Sequence, residues 1–305
     1  MTLQQLIALL AVHESGSIRA AAARLFQTQA AVTKTIKNLE AEMNTELLIR
    51  ESRGVRLTKD GETLLMHARR ALRELEIARE TINMNHGELM GKVNFAVTPA
   101  VMMTCLTDAL QWFKTRYPEV NLRIEDGTLM NALPLLRQGL LDFAVVIGFP
   151  KGRAVKDLDV ELLGEIETRI AVRKGHELLN DYERASNIEE LRKFEWVITA
   201  DKHSDVADRF HRVLGVEPPE KVTLCTAQVV SAILERSDAL SAIPRAMLSK
   251  PEFSNLVELP TDVRVGRHTL ELVTPAGRPQ TPAIEFLIHC LREQTRSLFA
   301  TSEEE

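Results

Sequence analysis

The sequence predicts an α/β chain: a winged helix-turn-helix at the N-terminus, a long helix after it, and a larger domain of alternating strands and helices. Three observations predict this. Apolar residues recur at helical spacing through three short segments before residue 44. Two short strand-like runs follow around a glycine, and residues 59–86 then hold no proline and repeat apolar residues about every 3.5 positions. Beyond Gly91, strand-like and helix-like runs alternate, the pattern of repeated βα units.

The first helix is set by Leu3, Leu6, Leu9 and Leu10, with Gly16 as its terminator. Ser17 is placed as the N-cap of a short second helix through Ala20 to Ala23, ending near Leu25. Phe26 and Gln27 leave room only for a tight turn before Thr28, the N-cap of a third helix reaching about Met43, so the second and third helices form a helix-turn-helix. Val32, Ile36, Leu39 and Met43 define one buried face of the third helix. Its opposite face carries Gln29, Ala30, Thr33, Lys34 and Lys37, whose amide, methyl, hydroxyl and ammonium groups are of the kinds that meet base edges and phosphates in a major groove. Leu47 to Arg50 and Val55 to Thr58 read as two strands about Gly54, a wing whose tip residue Arg53 suits the negative potential of a minor groove.

From Lys59 to His86, Leu64, Leu65, Ala68, Leu72, Leu75, Ala78 and Ile82 form a seam for a second helix, flanked by charged residues such as Arg69, Arg73 and Glu76. His86-Gly87 and Gly91 mark a boundary. Val93–Val97, Val120–Ile124 and Leu141–Ile147 are then expected strands, separated by a helix opened by Thr98-Pro99 and another at Leu129–Arg137. In open α/β sheets ligands bind beyond the carboxyl ends of strands, where helix N-termini present free N–H groups. That rule singles out Thr98, Thr128, Thr199, Lys202 and Thr226 as candidates for holding an anion.

Composition limits the function classes. The 305 residues are 45% hydrophobic, enough for about two ordinary domains. Net charge is -5, but residues 1–60 carry 8 Lys+Arg against 6 Asp+Glu and the rest 30 against 37, so the basic character is concentrated at the N-terminus. That excess is small, and useful affinity for a polyanion requires more than one copy. The start of the chain lacks a basic stretch leading into an apolar run, and charges, Gly or Pro interrupt every apolar stretch, so a soluble, cytoplasmic protein without a membrane partner is expected. Cys105, Cys225 and Cys290 are far apart and read as reduced core thiols. No dinucleotide, phosphate-loop, nucleophile-elbow or zinc-protease motif is present, so neither an enzyme nor a cofactor is expected.

The spacing of Leu6, Ala20-Ala21, Leu25, Gln29, Lys34, Leu39-Glu40, Arg50, the wing Arg53-Gly54-Val55-Arg56-Leu57-Thr58 and Gly61 resembles the signature of LysR-type transcriptional regulators. Tyr117-Pro118-Glu119-Val120 and Gly139 through Ala144 resemble the effector domain of the same family, which is similar to periplasmic solute-binding proteins. Three positions depart from the family pattern. Thr28-Gln29-Ala30-Ala31 stands where Ser-Gln-Pro-Ala is usual, Asn44 where Gly is, and Leu48 where Phe is. Arg236 to Ser241 also replaces a turn that is often Gly-rich in the family.

The resemblance implies a winged helix-turn-helix over residues 1–58, a linker and dimerisation helix over 59–90, and a two-lobed, periplasmic-binding-protein-like effector domain over 91–305. Lobe one would span 91–163 and 268–305, lobe two 164–267, with two strands crossing between them. It further implies a DNA-binding set of Thr28, Gln29, Ala30, Thr33, Lys34, Lys37, Arg50 and Arg53. The partners it implies are double-stranded DNA, a small-molecule effector, further copies of the chain as a homodimer or homotetramer, and RNA polymerase. His176 is expected to have a structural role.

Overall fold

The computed structural model describes residues 1–51, 54–149, 156–199, 210 and 214–300. The chain forms two compact units, Met1–Glu88 with Pro134–Leu141 and Pro279–Thr281, and Leu89–Leu133 with Asp142–Arg278 and Pro282–Glu305. No single helix among the described residues is long and apolar enough to cross a membrane.

In the first unit, helices α2 (Ile18–Arg24) and α3 (Gln29–Met43) begin where the caps Ser17 and Thr28 predict, and α1 (Leu3–Ser15) begins after the cap Thr2. Thr2 and Gln5 form a reciprocal capping box, Ser17 accepts the Ala20 N–H, and Thr28 accepts the Ala31 N–H. Gly16 and Asn44 close α1 and α3 in the left-handed conformation, so Asn44 does what a glycine would do there. Leu6, Leu9, Val12, Ile18, Ala21, Val32, Ile36 and Leu39 pack into one core. Met43 does not join them. It is 42% exposed.

Strands β1 (Leu48–Glu51) and β2 (Gly54–Leu57) pair antiparallel with Leu48 opposite Leu57. The wing therefore starts one residue later than the sequence suggests, because Leu47 is itself buried in the core. Two backbone approaches hold the wing in place. The Val55 N–H reaches the Gly16 carbonyl at 3.0 Å, where a Cβ on Gly54 would come within 2.4 Å of the same oxygen. Helix α4 (Lys59–Asn85) is capped by Thr58 and starts so close to β1 that a Cβ on Gly61 would lie 2.2 Å from the Leu47 carbonyl oxygen.

The seam expected along α4 divides in two. Leu64, Leu65 and Ala68 are buried in the winged core and Leu72 packs against it, whereas Leu75 and Ile82 are 54% and 58% exposed and Ala78 is exposed as well. The first turns of α4 are used up within their own unit, and an apolar stripe is left only on the later turns.

The second unit is built on β3 (Gly91–Val97), β4 (Val120–Asp126), β5 (Phe143–Ile147), β6 (Leu158–Arg173), β9 (Ser241–Pro244), β10 (Leu256–Glu258) and β11 (Arg267–Pro275). The order is β10-β6-β11-β5-β3-β4, with β9 also on β6. Strands β3, β4 and β5 run parallel, while β11 is antiparallel to both β5 and β6. The 16-residue β6 joins two regions of sheet. Its first part pairs with β11, and its second part pairs with β9 and β10. β11 pairs with β6 from Arg267 opposite Glu167 to Pro275 opposite Leu158.

Side chains of β6 alternate between two apolar clusters. Ile170 and Val172 join Leu178, Trp196, Leu240 and Leu259, while Ala171 joins Val230, Leu234, Ile243 and Phe253. Both faces of β6 are therefore covered at residues 170–172, whereas Val160 and Leu162 near its start are exposed. A separate parallel pair, β7 (Trp196–Thr199) and β8 (Val222–Cys225), contributes Trp196 to one cluster and Val197 to the other. Between β3 and β4 lie α5 (Pro99–Thr104) and α6 (Leu106–Arg116). Helix α7 (Leu129–Arg137) follows β4. Short helices α8 (Tyr182–Ala185) and α9 (Ile188–Leu191) precede β7. Later come α10 (Ala227–Leu234), α11 (Arg245–Leu248) and the terminal α12 (Pro282–Ala300).

The approach at Gly61 yields a test with an unambiguous sign. Alanine has the higher helix propensity by about 1 kcal/mol, but the new methyl overlaps the Leu47 carbonyl and must push α4 off β1. Gly61→Ala is expected to lower stability by about 2–3 kcal/mol in urea denaturation; a neutral or stabilising result would contradict the close approach.

Candidate DNA and effector sites

The DNA-facing candidates gather on one surface of α3. Thr28, Gln29, Ala30, Lys34 and Lys37 are exposed, and Thr33 is half-buried with its hydroxyl donating to the Gln29 carbonyl at 2.8 Å. Among the described residues neither Lys34 nor Lys37 has an ion-pair partner, so both ammonium groups face outward. Ala30 sits in the first turn without disturbing the cap, because Thr28 supplies the acceptor that the Ala31 N–H needs. Arg50 lies on β1 opposite Val55, and Arg53 lies outside the described residues. Arg56, on the neighbouring strand, is held by Glu51 at 3.2 Å.

One positioning residue escaped the sequence reading. Glu40, on α3, accepts the backbone N–H groups of Leu47 at 2.9 Å and Leu48 at 3.2 Å through one carboxylate oxygen. It ties the recognition helix to the first strand of the wing. In the sequence it appeared only as part of a family spacing, since a pairing from the last turn of a helix across the loop that follows it leaves no periodic trace.

The effector candidates form two pairs. Thr98 follows β3 and Thr128 follows β4, and these strands are parallel with Val97 opposite Asp126, so both threonines stand at the same carboxyl edge. Gly127 brings them together. Its N–H donates to the Val97 carbonyl at 2.9 Å, and a Cβ there would lie 2.6 Å from the Thr98 nitrogen. Thr98 is buried and precedes Pro99 at the start of α5, yet its side chain makes no cap bond. The Thr128 hydroxyl oxygen is buried with no hydrogen-bond partner.

Thr199 and Thr226 form the second pair, since β7 and β8 are parallel with Thr199 opposite Cys225. Thr226 is exposed and its side chain makes no cap bond to α10. Lys202 lies outside the described residues.

Asp142 is a second residue whose work is tertiary. It is buried at the head of β5, where its carboxylate accepts the Asn94 N–H at 2.9 Å while its own N–H donates to the Asn94 carbonyl at 2.7 Å. This fixes β5 against β3 and hence the edge that presents Thr98. His176 has the expected structural role: fully buried, it accepts the Leu178 N–H through Nδ1 and meets the Asp238 carbonyl through Nε2 at 3.2 Å. Together with the ion pair from Arg173 to Asp238, it anchors the turn that departs from the family pattern. Burial pushes the thiols of Cys105 and Cys290 up to about 11, and raises that of Cys225 as well. At neutral pH the thiolate needed for nucleophilic chemistry is therefore disfavoured at all three.

Comparison with known proteins agrees with this arrangement. Residues 3–62 match the family model of the bacterial regulatory helix-turn-helix proteins of the LysR family, and residues 86–296 match the model of the LysR substrate binding domain. The transcriptional regulator TdcA of Escherichia coli K12 is 26% identical over 262 residues, covering 85% of this chain and 82% of its own. The crystal structure of ArgP from Mycobacterium tuberculosis superposes with a TM-score of 0.74 at 20% identity, covering 95% of this chain and 96% of its own. LysG from Corynebacterium glutamicum, solved with the effector Arg bound, superposes with a TM-score of 0.67 at 18% identity, covering 97% of this chain and 99% of its own. The chain belongs to the LysR family of transcriptional regulators, with the family's helix-turn-helix at one end and its substrate-binding domain over most of the remainder.

Proposed function

We propose that this chain is a cytoplasmic, sequence-specific DNA-binding regulator whose activity is set by a small organic anion held between two α/β lobes. The division of labour is a winged helix-turn-helix over residues 1–58, a dimerisation helix over 59–90, and an effector domain over 91–305 with its lobes at 91–163 plus 268–305 and at 164–267. Gln29 and Ala30 read base edges, Thr28, Thr33, Lys34 and Lys37 position α3 in the groove, and Arg50 and Arg53 serve the wing. Thr98, Thr128, Thr199, Lys202 and Thr226 receive the effector.

The observation that carries the effector reading is the Thr128 hydroxyl. A buried hydroxyl without a partner costs about 1–3 kcal/mol, and an acceptor group on a ligand removes that penalty. The neighbouring N–H groups at the start of α7 and the Thr98 hydroxyl favour an anion such as a carboxylate. Supporting oligomer formation are the exposed Ala71, Leu75, Ala78 and Ile82, which recur at steps of four, three and four along α4. A two-fold axis through that stripe sets two α3 helices about one DNA turn apart, as a homodimer or as half of a homotetramer. Closure of the lobes on the effector alters their relation, and the oligomer passes this to the spacing of the two wings and the bend of the DNA, with RNA polymerase as the downstream partner. A coupling of about 1–3 kcal/mol is enough for such a switch.

Three measurements test this reading. DNA fragments selected by the purified protein at about 150 mM salt are expected to share a pseudo-palindrome, and Gln29→Ala or Lys34→Ala to weaken binding at least about fivefold. Affinities within twofold of wild type would remove α3 from the role of reader. Leu75→Glu combined with Ile82→Glu is expected to convert the dimer contributed by α4 into monomers in sedimentation and to abolish tight operator binding; an unchanged mass would place the dimer contact elsewhere. Thr128→Val removes the unpartnered hydroxyl, so it is expected to leave the free protein as stable as before or stabler by up to about 1 kcal/mol. The same variant should lose the thermal shift produced by whichever small carboxylate stabilises wild type, and a retained shift would exclude Thr128 from the site.

A further inference from the structure

Helix α2 ends in two backbone hydrogen bonds, from the Phe26 N–H to the Ala23 carbonyl at 3.2 Å and from the Gln27 N–H to the Ala22 carbonyl at 2.9 Å. This is the paired termination that drives the residue after the cap into the left-handed region, and Phe26 has φ 54. Glycine accepts that conformation freely and asparagine does so with local help, whereas a bulky side chain is strained in it. Among the described residues the other non-glycine at positive φ is Asn44, the type that the conformation favours.

Among the described residues nothing compensates Phe26. A phenyl ring ordinarily offsets local strain by leaving water, but this one is 97% exposed. It stands two residues before the N-cap Thr28 and is continuous with Gln27, Thr28, Gln29 and Ala30, all exposed. An aromatic ring that is both strained and solvated, at the entrance to the face assigned to DNA, is accounted for by burial on the nucleic acid.

We propose that Phe26 is a base-reading residue: its ring leaves water by packing on the C5-methyl group of a thymine at the edge of the half-site, beside the base pairs under Gln29 and Ala30. The thymine methyl is the apolar group that the major-groove edge offers, and phenylalanine is among the side chains that recognise it. The inference rests on the DNA reading above and adds a sequence preference to it. It also gives a role to a residue whose backbone is strained in the free protein.

The test uses the full chain, its Phe26→Asn and Phe26→Gly variants, and a duplex that wild type selects from a randomised pool, with each thymine of the half-site replaced singly by deoxyuridine, which lacks only the methyl. Both variants are expected to melt about 2 °C or more above wild type, because the strain is relieved. Both should bind the selected duplex about fivefold more weakly. Wild type should lose about threefold at one deoxyuridine position, and the variants should be indifferent to that replacement. Variants that bind as tightly as wild type with the same deoxyuridine profile would overturn the proposal, as would a loss equal on selected and unselected duplexes. A fall in oligomer mass with operator contacts intact would assign the ring to a protein contact and overturn it too. A wild-type pool that enriches no sequence would instead remove the DNA reading itself.

Discussion

The backbone of Leu47 is the point through which the winged unit is held together. Its N–H is taken by the Glu40 carboxylate on α3, its carbonyl receives the Thr58 N–H at 3.0 Å, and its side chain is fully buried in the core. The same carbonyl leaves no space for a side chain on Gly61, so α4 must start against it. Recognition helix, wing and long helix are therefore referred to one peptide unit. Hydrogen bonds through Leu47 thus join the start of α4 to α3, beside the apolar core that Leu64, Leu65 and Ala68 share with Val32, Ile36 and Leu39.

The effector domain uses the same device. Gly127 lets the ends of β3 and β4 meet closely enough that Thr98 and Thr128 share one edge, and Asp142 locks β5 to β3 beside them. Where two backbones touch, side-chain repacking cannot absorb a displacement. The Thr128 hydroxyl, buried without a hydrogen-bond partner, is held at this edge. The long β6 is shared by the two regions of sheet, and near its C-terminal end Ile170, Ala171 and Val172 alternate between separate clusters on its two faces.

Phe26 and Asn44 show how one backbone conformation serves two purposes. At Asn44 residue type and conformation agree, and the helix simply ends. At Phe26 they disagree, and the disagreement lies on the surface that faces DNA in the reading given above. Local rules are broken in natural proteins mainly where function needs it, so a conflict of this kind points outward from the chain.

Between β3 and β4 two helices, α5 and α6 divided at Cys105, stand where the sequence offered one; it did by itself determine the helices of the winged unit, the wing, the long helix, strands β3 to β5, and the exposed face formed by Gln29, Ala30, Lys34 and Lys37. All of these are written in signals that act within a few residues: apolar periodicity, a capping hydroxyl, a glycine at a turn. Tertiary structure decided the rest. The grip of Glu40 on Leu47 and Leu48, the meeting of Thr98 and Thr128 at Gly127, the exposure of Met43, and the division of the α4 seam between core and solvent were not legible. A periodic pattern records that a face is apolar, but the partner that covers it lies far away in the chain or in another molecule. The strain at Phe26 was hidden for the same reason, since a residue's φ becomes costly or tolerable only once its surroundings exist.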